Sequence, residues 1–458
     1  MNVAAIRKKL LTFPIEEIAA RHRFNLRNDA KVGLLSFIGS FFLSLSQGHS
    51  LRNWASCLSY FLPEGESLSK AGLQKRFGKR QLNAVKAFLA ELITSRVEPL
   101  LEQSQSKGLL GFFGRVWVED SVCVKLNPAL ACLFPGSYSK NGPTATARIQ
   151  LLVELKSLTY RRLKLTSYRE NDQKFSGKIL KIIRAGDLVI RDLGYWSLPV
   201  FARIARAGAF FLSRYQPGTN LYDEQGQQIE LLELLASIER RGGNFCDQWV
   251  YLGQEQRLKT RLIALKCPPE VVEQRIRKAK QDRHSKANHS PAYYQLLHWT
   301  ILVTNVEAEV WNPAKAMIVY GFRWHIEMIF KVWKSALGLQ KLISQAQIQK
   351  PIHAQLFFYL FLCYLLLCYI PYYTYFLTQV YHTHQRILSP FGFAQFLNKH
   401  LCSIIQSPLQ DTNALSQWIE PLCREALYEQ RKKRANQLEL IFNLREPATF
   451  ELIKPHSN

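Results

Sequence analysis

Between Val32 and Ile93 apolar residues return every third or fourth position, as in Val32–Ile38 and Ala84–Ile93. That is the spacing of helices with one buried face, and it predicts a helical region over residues 1–110. Within it, Ser67–Arg80 follows the turn residues Pro63-Glu64-Gly65, opens on a serine and carries five basic residues. The stretch reads either as a helix that enters a DNA groove or as a solvated basic helix. From about residue 115 the texture changes. Arg115–Val124 predicts a strand, and Arg148–Leu155 and Tyr160–Tyr168 two more, joined at Lys156–Thr159 like a hairpin. Phe175–Ala185 reads as a helix, Gly186–Asp192 as a fourth strand, Leu198–Ala207 as a helix and Ala209–Tyr215 as a fifth strand. The order β-β-β-α-β-α-β predicts an α/β fold, a mixed sheet with helices on its faces.

Residues 216–297 interrupt this plan with shorter strand-like pieces, Gln248–Leu252 and Thr260–Leu265, and a helix after Pro268-Pro269. Between Arg275 and Lys286 it carries Arg275, Arg277, Lys278, Lys280, Arg283 and Lys286 against Asp282 alone, a candidate phosphate-contacting surface. The sheet pattern resumes at Trp299–Asn305, and one long helix is expected from Pro313 to Leu337. Residues 351–385 then contain no Asp, Glu, Lys or Arg. A run of that length suits a membrane span or the central helix of a large core. His353, Gln355, Pro371 and the Tyr372–Tyr375 cluster dilute it and favour the buried helix. A basic helical tail follows, densest at Arg431-Lys432-Lys433-Arg434. The expected regions are 1–110, helical and end-binding; 111–215, first part of a catalytic core; 216–297, a β-rich insertion; 298–380, the rest of the core; and 381–458, basic and helical.

Composition narrows the function. The chain has 458 residues, 47% hydrophobic and 21% charged, which excludes a disordered or low-complexity protein. Its net charge of +25 is costly by self-repulsion unless a polyanion shares the structure, so nucleic acid is the leading partner. The nine cysteines form no CxxC and no Cys/His cluster with zinc spacing; we expect reduced thiols in a cytoplasmic protein. The N-terminus lacks the pattern of a signal peptide.

Candidate chemistry centres on the helix through Tyr320–Lys334. At about 100° per residue, Tyr320, Arg323, Glu327, Lys331 and Lys334 share one stripe, with Ile326, Ile329, Phe330 and Trp333 on the rest of the surface. One carboxylate thus stands among three cations and a phenol, although an ordinary surface helix with ion pairs would look alike. Two further acids lie on predicted strands. Asp192 ends Leu188-Val189-Ile190-Arg191 beside Leu193-Gly194-Tyr195, where a sheet edge commonly carries a site. Asp120 sits among Trp117, Val118 and Val122, where an acid must be paired or bind metal. Glu119 precedes it and faces the other side of the strand, and period alone leaves open which of the two points inward. Three carboxylates on one sheet edge would make a hard oxygen site suited to two Mg²⁺ ions acting on a phosphodiester.

Tyr320-x2-Arg323-x3-Glu327-x6-Lys334 matches in full the Y-R-E-K signature of bacterial DDE transposases of the insertion sequence four family. Trp117-Val118-Glu119-Asp120-Ser121 resembles that family's first aspartate strand, and Leu188–Tyr195 its second aspartate motif. Asp192 follows Asp120 by 72 residues and Glu327 follows by a further 135, long enough to house the insertion. The resemblance covers roughly residues 110–345. It implies a ribonuclease-H-like core with Asp120, Asp192 and Glu327 as catalytic metal ligands for two Mg²⁺ ions, with Mn²⁺ tolerated. It implies Tyr320, Arg323 and Lys334 as contacts to double-stranded transposon-end DNA, the terminal inverted repeats, and a dimer that also engages target DNA. Cut-and-paste members pass through a DNA hairpin and flip a base; Trp299 matches the residue that fills the vacated space, plain core packing being the other reading, and Trp324 one near the flipped base. The expected protein is a cytoplasmic, nucleoid-associated transposase with no membrane partner. Its rivals are a non-catalytic DNA-binding regulator on the same fold and a membrane-associated protein anchored by 352–376.

Overall fold

The structure, a computed structural model, describes residues 8–26, 30–47, 50–94, 108–157, 159–281, 289–343, 350–406, 412–428 and 440–441. Ten strands form one sheet: β1 (Val116–Leu126), β2 (Ala145–Glu154), β3 (Thr159–Ser167), β4 (Leu188–Arg191), β5 (Phe210–Arg214), β6 (Leu221–Tyr222), β7 (Gln228–Ile229), β8 (Phe245–Leu252), β9 (Leu258–Lys266) and β10 (Trp299–Thr304). Their order is β3-β2-β1-β4-β5-β10-β9-β8-β6-β7. β1, β2 and β3 pair antiparallel, while β1–β4 and β4–β5 pair parallel. That arrangement of the first five strands is the ribonuclease-H-like core. The strands of residues 216–297 add to this same sheet. β10 returns antiparallel beside β5, and β9, β8, β6 and β7 continue the same sheet.

Apolar residues from both sides cover this sheet, so alternate positions of each strand enter different cores. Val116, Val118, Val124, Leu188, Ile190 and Leu302 join one cluster; Trp117, Leu152, Val189, Phe211, Trp299 and Val303 join the other. The first cluster also takes in the N-terminal and C-terminal helices, from Leu10 to Ile441. Its helices include α1 (Leu34–Gln47) and α2 (Lys79–Thr94). The stretch Ser67–Arg80 is not one groove-reading helix: a five-residue helix, Lys70–Gln74, ends before Gly78, and α2 starts at Lys79. Arg76 donates instead to Asn25 at 3.1 Å. On the other face lies α3 (Leu198–Arg206), whose Val200, Phe201 and Ile204 are buried.

The basic helix α4 (Pro269–Gln281) follows β9. After β10 the expected long helix is two: α5 (Pro313–Gly321) and α6 (Trp324–Lys334). Between them Phe322, Arg323, His325 and Ile326 donate to carbonyls three residues back, which tightens the chain into a short turn. The uncharged segment is the buried helix: α7 (Pro351–Tyr364), a π-turn at Leu365–Tyr369 and α8 (Ile370–His384). Of its apolar window 78% is buried inside the protein. Pro371 has no N–H to donate and would clash with a regular turn, and the wider π-turn just before it accommodates that loss. α9 (Pro390–Gln406) packs against α1 and α6. All nine cysteines are free thiols. The cluster Arg431–Arg434, like Arg283 and Lys286, lies outside the described residues.

Candidate active site

The two aspartates reach the same place because β1 and β4 are parallel neighbours, with Glu119 level with Arg191. Asp120 is the next residue on β1, and Asp192 the first beyond β4. Both lie on the face that carries α6. Asp192 leaves the strand in extended conformation and leads into the turn Leu193–Tyr195. A Cβ at Gly194 would come to 2.9 Å from the Asp172 carboxylate, so a larger residue there would have to displace that side chain. Glu327 comes from α6, whose Ile326, Phe330 and Trp333 are buried and fix its rotation. Asp120, Asp192 and Glu327 line one open cleft of about 570 Å³, together with Arg323, Lys331 and Lys334.

A cation already stands among the acids. Arg323 donates to Asp120 Oδ2 at 3.0 Å and, from its other terminal nitrogen, to Glu327 Oε1. Tyr320 Oη donates to Asp192 Oδ1 at 3.3 Å, and the Ser121 amide to Asp120 Oδ1 at 2.8 Å. Burial pushes the Asp120 carboxyl up to about 7, against the pull of Arg323. Burial works against the Arg323 charge too, but Asp192, Tyr320, Asp120 and Glu327 more than offset it and hold the guanidinium protonated. Burial, helped by Asp192, raises the Tyr320 phenol, so it acts as a neutral donor. Among the described residues, no three ligand-type side chains stand close enough to grip an ion as they are placed. The donor set nevertheless fits a hard divalent cation: three carboxylates face one cleft, and a guanidinium occupies the position between two of them.

The remaining expected residues divide clearly. Lys331 is exposed and Lys334 half-buried at the cleft, and Trp324 is 48% exposed beside it in sequence. Arg277, Lys278 and Lys280 are exposed on α4. Two expected DNA contacts are turned inward in the free chain. Trp299 is 4% exposed and belongs to the core on the opposite sheet face, because it shares the strand parity of Ile301 and Val303. Arg275 turns inward and donates to the carbonyls of Leu297 and Trp299 and to Thr300 Oγ1, so it holds the start of β10. Glu119 also points inward, on the face opposite Asp120, at 1% exposure. One residue escaped the motif reading: Arg214 at the end of β5 is level with Asp192, since Arg191 pairs with Ser213, and its charge acts on Tyr320. The signal was the parallel register, which no single-strand pattern displays.

Residues 116–366, more than half of the chain, match the family described as Transposase DDE domain. The chain belongs to the DDE transposase family. This transposase is 28% identical over 320 residues to the transposase for insertion sequence element IS231F of Bacillus thuringiensis subsp. israelensis, over 65% of this chain and 66% of that one. It is 26% identical over 406 residues to the transposase for IS231C of Bacillus thuringiensis subsp. berliner, over 85% and 83% of the two chains. A solved synaptic complex of piggyBac transposase with hairpin DNA aligns with a TM-score of 0.44 at 10% identity, over 95% of this chain and 87% of that one. The relatives agree with the Y-R-E-K resemblance to the insertion sequence four group. Family membership makes this transposase a DNA-binding, strand-cleaving and strand-joining enzyme of a class that uses divalent metal ions, and the regulator reading is not favoured. The membrane reading loses its main support, since the apolar segment is mostly buried.

Proposed function

We propose that this transposase excises its element and joins it to new DNA at the cleft formed by Asp120, Asp192 and Glu327. The observation that carries the reading is the convergence of these three carboxylates, from β1, the end of β4 and α6, on one basic-rimmed cleft. The three would hold two Mg²⁺ ions, or Mn²⁺ in their place. When bound, the ions supply the charge neutralisation that phosphodiester cleavage and transfer need. Tyr320, Arg323, Lys331 and Lys334 would grip the phosphates flanking the scissile bond, which fixes the strand without reading its sequence. Trp324 offers an exposed ring on which a flipped base can stack. Arg277, Lys278 and Lys280 extend the phosphate contact onto α4. In this reading the end is nicked, the freed 3′-hydroxyl attacks the opposite strand, the hairpin is reopened, and the 3′ end joins target DNA. The protein would act as a homodimer on paired terminal inverted repeats, on the cytoplasmic nucleoid.

The test is strand cleavage. The full chain is incubated with labelled duplex carrying its element's end and Mg²⁺ or Mn²⁺, beside Glu327→Gln. We expect metal-dependent nicking and a hairpin-sized product in the parent only, with duplex binding retained in both. Binding without cleavage in the parent would return the reading to an end-binding regulator.

A further inference from the structure

Behind the two aspartates, on the opposite sheet face, lies a buried ion pair made by their immediate neighbours. Glu119, which precedes Asp120, is 1% exposed, and Arg191, which precedes Asp192, is fully buried. They are level in the parallel β1–β4 register, and Arg191 Nη2 donates to Glu119 Oε2 at 2.7 Å. Arg162 on β3 donates to the other carboxylate oxygen at 2.5 Å. Arg191 also donates to the Ser176 hydroxyl at 2.8 Å and to its carbonyl at 2.6 Å. The Ser176 hydroxyl in turn donates to the carbonyl of Tyr195, in the turn that follows Asp192, at 2.9 Å.

Desolvating two charges costs about what their attraction returns, so a buried ion pair is poor evidence for stability; its better-attested use is to fix a register. Here a register needs fixing. β1 and β4 share only four paired positions, Val116–Glu119 with Leu188–Arg191. A slip of one residue would turn Asp192 to the wrong face, and a slip of two would keep the face but leave Glu119 and Arg191 buried apart. The apolar neighbours Val118, Val189 and Ile190 resist such slips less sharply than a charge pair does.

We propose that Glu119 and Arg191 are positioning residues: their ion pair, tied through Ser176 to the turn at Tyr195, sets the separation of Asp120 and Asp192 and so the affinity of the cleft for its metal. The proposal rests on the reading of these aspartates as metal ligands. Residues behind a metal site that orient its ligands commonly govern affinity by about 10- to 100-fold.

The probe is Mn²⁺ alone, titrated into the full chain without DNA, with free ion read by electron paramagnetic resonance. Duplex binding in EDTA and thermal melting are measured alongside. Glu119→Gln keeps size and an acceptor but removes the charge. We expect its Mn²⁺ Kd to rise about tenfold or more, its duplex binding to stay at the parent value, and its Mn²⁺ requirement for nicking to rise in step. Ser176→Ala removes the two hydrogen bonds of the hydroxyl, from Arg191 and to the Tyr195 carbonyl, and leaves both charges. It serves where Glu119→Gln fails to fold, with a smaller weakening in the same direction. Asp120→Asn is the reference and should weaken Mn²⁺ binding most. Parental Mn²⁺ affinity in folded Glu119→Gln or Ser176→Ala, with Asp120→Asn weakened, overturns the positioning role alone. Parental affinity in Asp120→Asn overturns the ligand assignment and the proposal with it.

Discussion

At the residue scale, adjacent side chains of one strand serve separate purposes because the strand is covered on both faces. Asp120 opens to the cleft while Glu119 is sealed among arginines. The sequence showed both acids and the alternation between them, but not that both faces were interior, since a lone strand carries no record of what covers it. A second buried group has a measurable consequence. His325, on α6 and 6% exposed, has its imidazole pushed down to about 4 by burial. The folded chain therefore keeps it neutral where the unfolded chain, near 6.5, takes up a proton. Its contribution is fully present above pH 6.5 and is lost as pH falls toward 4, by at most about 3 kcal/mol. His325→Leu should flatten the fall in stability between those limits, as read from denaturant midpoints at pH 7 and pH 5; an unchanged difference would show that the imidazole titrates normally.

At the element scale, α4 mixes two kinds of cation that look identical in sequence. Arg275 is an internal anchor for β10, whereas Arg277, Lys278 and Lys280 face water. Arg275→Ala should lower the melting temperature and leave the salt dependence of duplex binding alone. Alanine at each exposed position should reduce the salt slope by up to about one and leave melting unchanged. The strand pattern was legible: β1 to β5 and β10 fall close to their expected positions because short runs of β-branched, aromatic and other apolar residues mark them. The break between α5 and α6 was not, because one turn of tighter winding leaves the helical spacing of Tyr320, Arg323 and Glu327 nearly intact. The two-residue strands β6 and β7 and the helix Leu231–Arg240 were also missed, the strands being too short to show a period.

At the scale of the whole molecule, one apolar core joins the N-terminal helices, the catalytic sheet and the C-terminal helices, with α7 in its middle. Leu360 on α7 is fully buried. Leu360→Ala should cost about 2–5 kcal/mol, and melting followed at helix and at tryptophan signals should fall together. A membrane-facing leucine would tolerate the change, so an unaltered melting curve would contradict the core assignment. The shared core was foreshadowed by the uncharged run, while its partners were not, because sequence separation hides which apolar faces meet.

The insertion joins the core as more sheet. Outward from β5 the strands run β10, β9, β8, β6 and β7, so length gained or lost at the β6–β7 end leaves β1, β4 and β5 where they stand. Relatives of this enzyme can thus vary there over generations without moving the acids. The growth ends in a strand of two residues, β7, an edge too short to recruit another chain and seed aggregation.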